Sequence, residues 1–201
     1  MKQNKKNAIT IIEVMVSLLI IIFGLIWIYS IYWRSQKVAL SIENRVKAIS
    51  MAREAIEVIH NIRDTNWLIY AADLNNCWYT FNYNFSCLWN DWEDHKISSW
   101  SYIIYTNPDT NQWMLDKKSG EENRNFSNEN YRQDYKINID QNWFFTQTWW
   151  TEFLPIFTRE IKITYPDLNK MKINVKVSWN DNTKIWFSNI SLDSEITNWK
   201  K

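Results

Sequence analysis

From Val14 to Trp33 the chain runs 20 residues without a charged side chain. At about 1.5 Å per residue, a helix of that length spans ~30 Å, the thickness of one bilayer hydrocarbon core. Lipid offers the backbone no hydrogen-bond partners, so such a segment crosses as a helix. Lys2, Lys5 and Lys6 precede the run, and only Arg34 stands immediately at its far end. That asymmetry predicts a single-pass anchor in the cytoplasmic membrane, with the N-terminus inside and the C-terminus outside. A cleaved secretory signal fits poorly, because the apolar run is too long and no small-x-small site follows it. One carboxylate, Glu13, sits at the head of the run, where a buried charge would cost a few kcal/mol on insertion scales.

Residues 34–64 hold no Gly or Pro. Val38, Ile42, Val46, Ile49, Ile56 and Ile59 recur at helical spacing and predict one apolar face, with Ala52 and Ala55 beside it. Asp64-Thr65-Asn66 is a plausible stop. The expectation is one continuous helix near 9–64, apolar all round in its first half and amphipathic in its second. Residues 67–132 read as irregular, with short strands at 101–106 and 112–116 and a polar loop at 119–133. The C-terminal third alternates as strands do. Ile161, Ile163 and Tyr165 share a face, as do Ile173, Val175, Val177 and Trp179, and 184–192 reads as a third strand. Turn chemistry at Pro166-Asp167 and Asn180-Asp181 separates the runs, so an antiparallel meander is expected. Its uncovered face needs a partner, and the long apolar helix stripe is the one available. The fold class predicted is therefore α+β, a long N-terminal helix packed on a C-terminal antiparallel sheet.

Composition adds two points. Lys+Arg is 23 and Asp+Glu is 22, so the chain carries no general electrostatic footprint for nucleic acid. Gly occurs 2 times and Trp 14 times, whereas average usage would give roughly 14 glycines. An A/T-rich gene depletes Gly but does not enrich Trp. The reading is that many of these tryptophans, Trp149 and Trp150 foremost, are UGA codons that the host reads as glycine. Trp67, Trp179 and Trp199 suit their contexts as tryptophan. The alternative is a Trp-rich surface.

A positive amine is the natural partner for Glu13. Cleavage after Ala8 would free one on Ile9, within a helical turn of Glu13, on the same subunit or on a neighbour packed alongside. The segment "KKNA/ITIIEVMVSLLIIIFGL" resembles the leader and methylation segment of type IV prepilins and type II secretion pseudopilins, on Lys5-Lys6, Thr10, Ile12, Glu13, Val14 and the run to Leu25. Ala8 stands where the family usually has Gly, and Ile9 where it has Phe. Residues 52–67, "TREIKI" and "VSWNDN" further resemble minor-pilin-like proteins. The resemblance implies a leader at 1–8, a transmembrane and polymerisation helix at 9–33, its amphipathic continuation at 34–66, and an extracytoplasmic globular region at 67–201 with antiparallel strands near 157–192. It implies cutting between Ala8 and Ile9 by a prepilin peptidase, methylation of Ile9, and an assembly role for Glu13. The partners implied are other pilins in a helical filament and a pilus assembly platform with its ATPase. Nucleic acid enters only if the filament serves competence. No cofactor is implied.

On this topology Cys77 and Cys87 lie outside the membrane. A disulfide would close an 11-residue loop and stabilise by roughly 2–3 kcal/mol; two free thiols are the alternative. No cysteine or histidine spacing suggests zinc. His60 and His95 lack partners for catalysis and read as surface or packing residues. The acidic clusters Glu121-Glu122 and Asp91, Glu93, Asp94 do not follow EF-hand spacing. No P-loop, G-x-S-x-G or G-x-G-x-x-G occurs. The expected function is that of a non-enzymatic minor pilin or pseudopilin. The alternative is a monomeric membrane-anchored surface binding module.

Overall fold

The computed structural model describes residues 10–69, 77–80, 96–107, 112–118, 126–139, 145–147, 152–180 and 187–198. Helix α1, Ile11–Ile69, runs without interruption for 59 residues. This is the single helix the sequence predicts, begun two residues later and ended five residues beyond the expected stop. Nothing in it forbids helical geometry, since Gly24 is its one glycine and it holds no proline. By length and composition α1 can cross a membrane. The chain divides into two compact units, 1–43 and 44–201. In the first unit the large apolar residues from Ile11 to Trp33 are all exposed.

The second unit contains the last part of α1 and a seven-stranded sheet. Its strands are β1 (Ser101–Thr106), β2 (Trp113–Lys117), β3 (Lys136–Ile139), β4 (Phe145–Thr146), β5 (Glu152–Asp167), β6 (Lys170–Trp179) and β7 (Ser188–Thr197). A short helix, α2 (Glu129–Tyr135), leads directly into β3. All pairings are antiparallel, and β5 is the hub, bonded to β1, β3 and β6. The expected meander is β5–β6–β7, with Ile161 opposite Val175 and Val175 opposite Leu192. Its boundaries differ from those read in the sequence. Pro166-Asp167 continues β5, the reversal falls on Leu168-Asn169, and the third strand occupies 188–197. The polar stretch 119–133 is not wholly loop either. Asn128 caps α2 by accepting from the backbone N–H of Asn130 at 2.9 Å and Tyr131 at 3.4 Å, and this cap is what starts a helix in so polar a segment.

The core lies between α1 and one face of the sheet. Ile161, Ile163, Ile173, Val175 and Val177 are fully buried there, as their alternation predicts, and Trp179 is buried with them. From the helix come Ala48, Met51, Ala52, Ala55, Val58, Ile59 and Ile62. This corrects the expected packing face. Val38, Ile42 and Val46 are exposed, Ile49 and Ile56 are half-buried, and of the predicted stripe only Ile59 is fully buried. Val38 and Ile42 precede the compact unit that contains the sheet, which begins at Asn44; within that unit the physical reason is size. Alanines at 48, 52 and 55 let a helix backbone approach a sheet of branched side chains closely, while large residues at those positions would hold it off. A smaller cluster of Ile103, Tyr131 and Tyr135 forms a separate core against α2. Trp67 and Trp179 are core residues; Trp149, Trp150 and Trp199 lie outside the described residues.

The two faces of α1 give opposite expectations. Ala52→Leu should destabilise the β domain by about 1–3 kcal/mol through overpacking. Val46→Ser, on the exposed face, should change stability by less than about 0.5 kcal/mol. Chemical denaturation of the chain in detergent, followed by circular dichroism, measures both.

Candidate functional site

The first turn of α1 is built around Thr10. Its carbonyl accepts from the backbone N–H of Glu13 at 3.0 Å and Val14 at 3.3 Å, and its hydroxyl accepts from Glu13 N–H at 3.4 Å. Thr10 is thus the N-cap, and Glu13 occupies the third helical position, the spacing of a capping box. A carboxylate there also faces the positive end of the helix dipole. One turn on, Ser17 donates its hydroxyl to the Glu13 carbonyl at 2.8 Å. Glu13 therefore has a local reason to sit at the head of this helix, which the T-x-x-E pattern announces and the reading of Glu13 as an assembly residue left out. Ala8 and Ile9, the expected processing site, lie outside the described residues.

Cys77 is fully buried and is not a free thiol. Its expected partner Cys87 lies outside the described residues, as do His95 and both acidic clusters. Asn66, near the end of α1, donates to the carbonyls of Trp78 at 3.3 Å and Thr80 at 2.5 Å. These bonds tie the Cys77 segment to the helix. Among the described residues no group of His, Cys, Asp or Glu is placed to hold a metal ion.

The most unusual electrostatic feature was not legible in the sequence. Arg159, on β5, has a side chain with no exposed area. Its guanidinium donates to Glu54 at 2.8 Å, to the Met51 carbonyl at 3.2 Å and to Gln147 at 3.2 Å. Gln147 in turn donates to the carbonyls of Tyr135 and Arg159, and accepts from Ile104 N–H. Burial lowers the Arg159 pKa, and Glu54 opposes that shift. The sequence around it, "TREIKI", shows only an alternating strand with one charge on the inward side. On the opposite face of β5, Glu160 accepts from Tyr131 and Ser101, each at 2.8 Å. Burial, with Glu160 alongside, raises the Tyr131 pKa far above its usual range. Both clusters tie neighbouring elements together, the first joining β5 to α1 and the second joining β5 to β1 and α2.

His60 packs toward β7 with its Nε2 at 3.4 Å from the Ser194 hydroxyl. Burial, and then the Arg63 charge, lower its pKa below 6.5. This is the packing histidine expected.

Compared with protein-family models, curated proteins and solved structures, the chain shows no match. The class of protein is therefore read from its architecture: one helix apolar enough to span a membrane, continued as the packing helix of an antiparallel β domain.

Two measurements test this chemistry. Glu54→Ala leaves a buried guanidinium short of its counter-charge and should cost about 2–3 kcal/mol in denaturant unfolding. For His60, the folded state holds the proton less tightly than the unfolded chain. Stability should therefore fall as pH drops through 6.5 and level off once pH is below the folded-state pKa. His60→Gln should remove that part of the pH dependence of unfolding.

Proposed function

We propose that the chain is a minor pilin or pseudopilin, a structural subunit without enzymatic activity, that enters a type IV pilus-like filament through α1. In this reading it waits in the cytoplasmic membrane, N-terminus inside and β domain outside. A prepilin peptidase removes residues 1–8 and methylates Ile9. An assembly platform with its ATPase then draws the subunit from the bilayer into a filament of other pilins on the cell surface. Cys77 and Cys87 close a disulfide in the oxidising exterior.

One observation carries the reading. Beyond the apolar span, Val38, Leu40, Ile42 and Val46 remain more than half exposed while the alanine face packs on the sheet. Branched apolar side chains left in water past the membrane boundary are the mark of a surface that meets another protein. A helix that presents such residues after a lipid-compatible span suits burial against like helices, first in lipid and then in a filament. Glu13 supports the same reading: within a packed bundle of apolar helices its carboxylate needs a cation, and the amine of a processed Ile9 supplies one.

The mature subunit should begin at Ile9, read by N-terminal sequencing of sheared filaments. Glu13→Ala should accumulate normally in the membrane, with a folded β domain, and be lost from filaments, and Ile42→Lys should do the same. Wild-type incorporation of both variants would favour the monomeric anchored binding module instead.

A further inference from the structure

We infer that, in the membrane-resident chain, Glu13 lies at the headgroup level of the near leaflet and not in the hydrocarbon, while Tyr29, Tyr32 and Trp33 lie at the opposite headgroup level. The inference rests on the membrane-spanning reading of α1 and deepens it. Three observations converge on this register.

The first is length. Glu13 and Trp33 are 20 positions apart on a continuous helix, which separates them by about 30 Å, one hydrocarbon thickness. The second is the distribution of side chains. From Val14 to Ile26 the exposed large residues are aliphatic apart from Phe23. The next turns then present Trp27, Tyr29, Tyr32 and Trp33, each at least 50% exposed. Tyr29 and Trp33 sit one turn apart with their rings edge to face at 6.0 Å, so two polar-tipped aromatics share one side of the helix. Such rings favour the boundary between acyl chains and headgroups. Arg34 and Lys37 follow at once, where their charges reach water.

The third is the helix start. The first N–H groups of an α-helix lie outside its own hydrogen-bond ladder, and hydrocarbon offers them no acceptor. Thr10 serves Glu13 and Val14, and the remainder of the turn needs headgroups or water. A helix that begins at Ile11 therefore keeps its first turn, Glu13 included, out of the acyl region. Sliding the span one turn toward the far side would pull both the helix start and the carboxylate into lipid, and would lift the aromatic cluster off its boundary. The consequence is that the resident subunit needs no partner for Glu13. The need for a cation arises only when the helix leaves this register.

The test uses the full chain in phosphatidylcholine vesicles, with a nitroxide on Glu13→Cys, Phe23→Cys or Trp33→Cys, in a Cys77→Ser/Cys87→Ser background. It is repeated with the native cysteines in place, where Cys77 is buried. Collision with a water-soluble nickel complex and with oxygen reports depth. Positions 13 and 33 should be relaxed mainly by nickel and position 23 mainly by oxygen. An oxygen-dominated signal at position 13, equal to that at 23, would overturn the inference while leaving the membrane reading intact. Release of the unlabelled chain from vesicles by an alkaline wash would overturn the membrane reading itself, and this register with it.

Discussion

The β domain is organised around one buried cation. Arg159 reaches from β5 across the core to the last part of α1, where a carboxylate and a backbone carbonyl receive it. Taking a guanidinium out of water is costly unless its hydrogen bonds are met, so the pair tolerates little movement between helix and sheet. Apolar contacts alone would be more permissive. Ala48, Ala52 and Ala55 make part of the helix face smooth, and small side chains present few knobs to set an axial position. Gln147 extends the constraint to β1 and to the end of α2, through bonds to Ile104, Tyr135 and Arg159. Helix position, hub strand and short helix are thus fixed by one connected polar network inside an apolar core.

With that face of α1 packed on the sheet, the other apolar side of the helix remains exposed. Val38, Ile42 and Val46 form no part of the core. They form an apolar stripe that stays exposed. A sequence pattern reports that a helix has an apolar side; it does not report which of two apolar sides meets its own sheet. Here the side with Ala48, Ala52 and Ala55 packs, because alanine permits closer approach. The half-buried Ile49 and Ile56 lie at the edge between the two surfaces.

Much of the architecture was nonetheless readable. The uncharged run and the absence of helix breakers specified one long helix, because both conditions act locally on the backbone. Strict alternation in β5 and β6 specified which residues turn inward, since a strand's period of two leaves no choice once one face is buried. Strand β3 and the two-residue β4 carried no such signal. They are too short for periodicity to register; β5, which extends to Glu152, offers an edge to β3, and β3 in turn offers one to β4. At the helix start the T-x-x-E spacing of Thr10 and Glu13 is legible as a cap, because capping acts within a single turn.

The sequence by itself determined the elements: a span long enough for lipid, a helix continuing past it, and alternating strands with a defined inner face. Each follows from periodicity or composition within a short window, where local sterics and solvation decide. Tertiary structure alone decided which helix face packs, that Arg159 is buried, and that Glu54, Gln147 and the Met51 carbonyl receive its Nε and Nη1. Glu54 and Arg159 are 105 residues apart in sequence. No local rule distinguishes these charged side chains from a dozen others on the surface, and only the meeting of distant segments supplies the partners that make burying a charge tolerable.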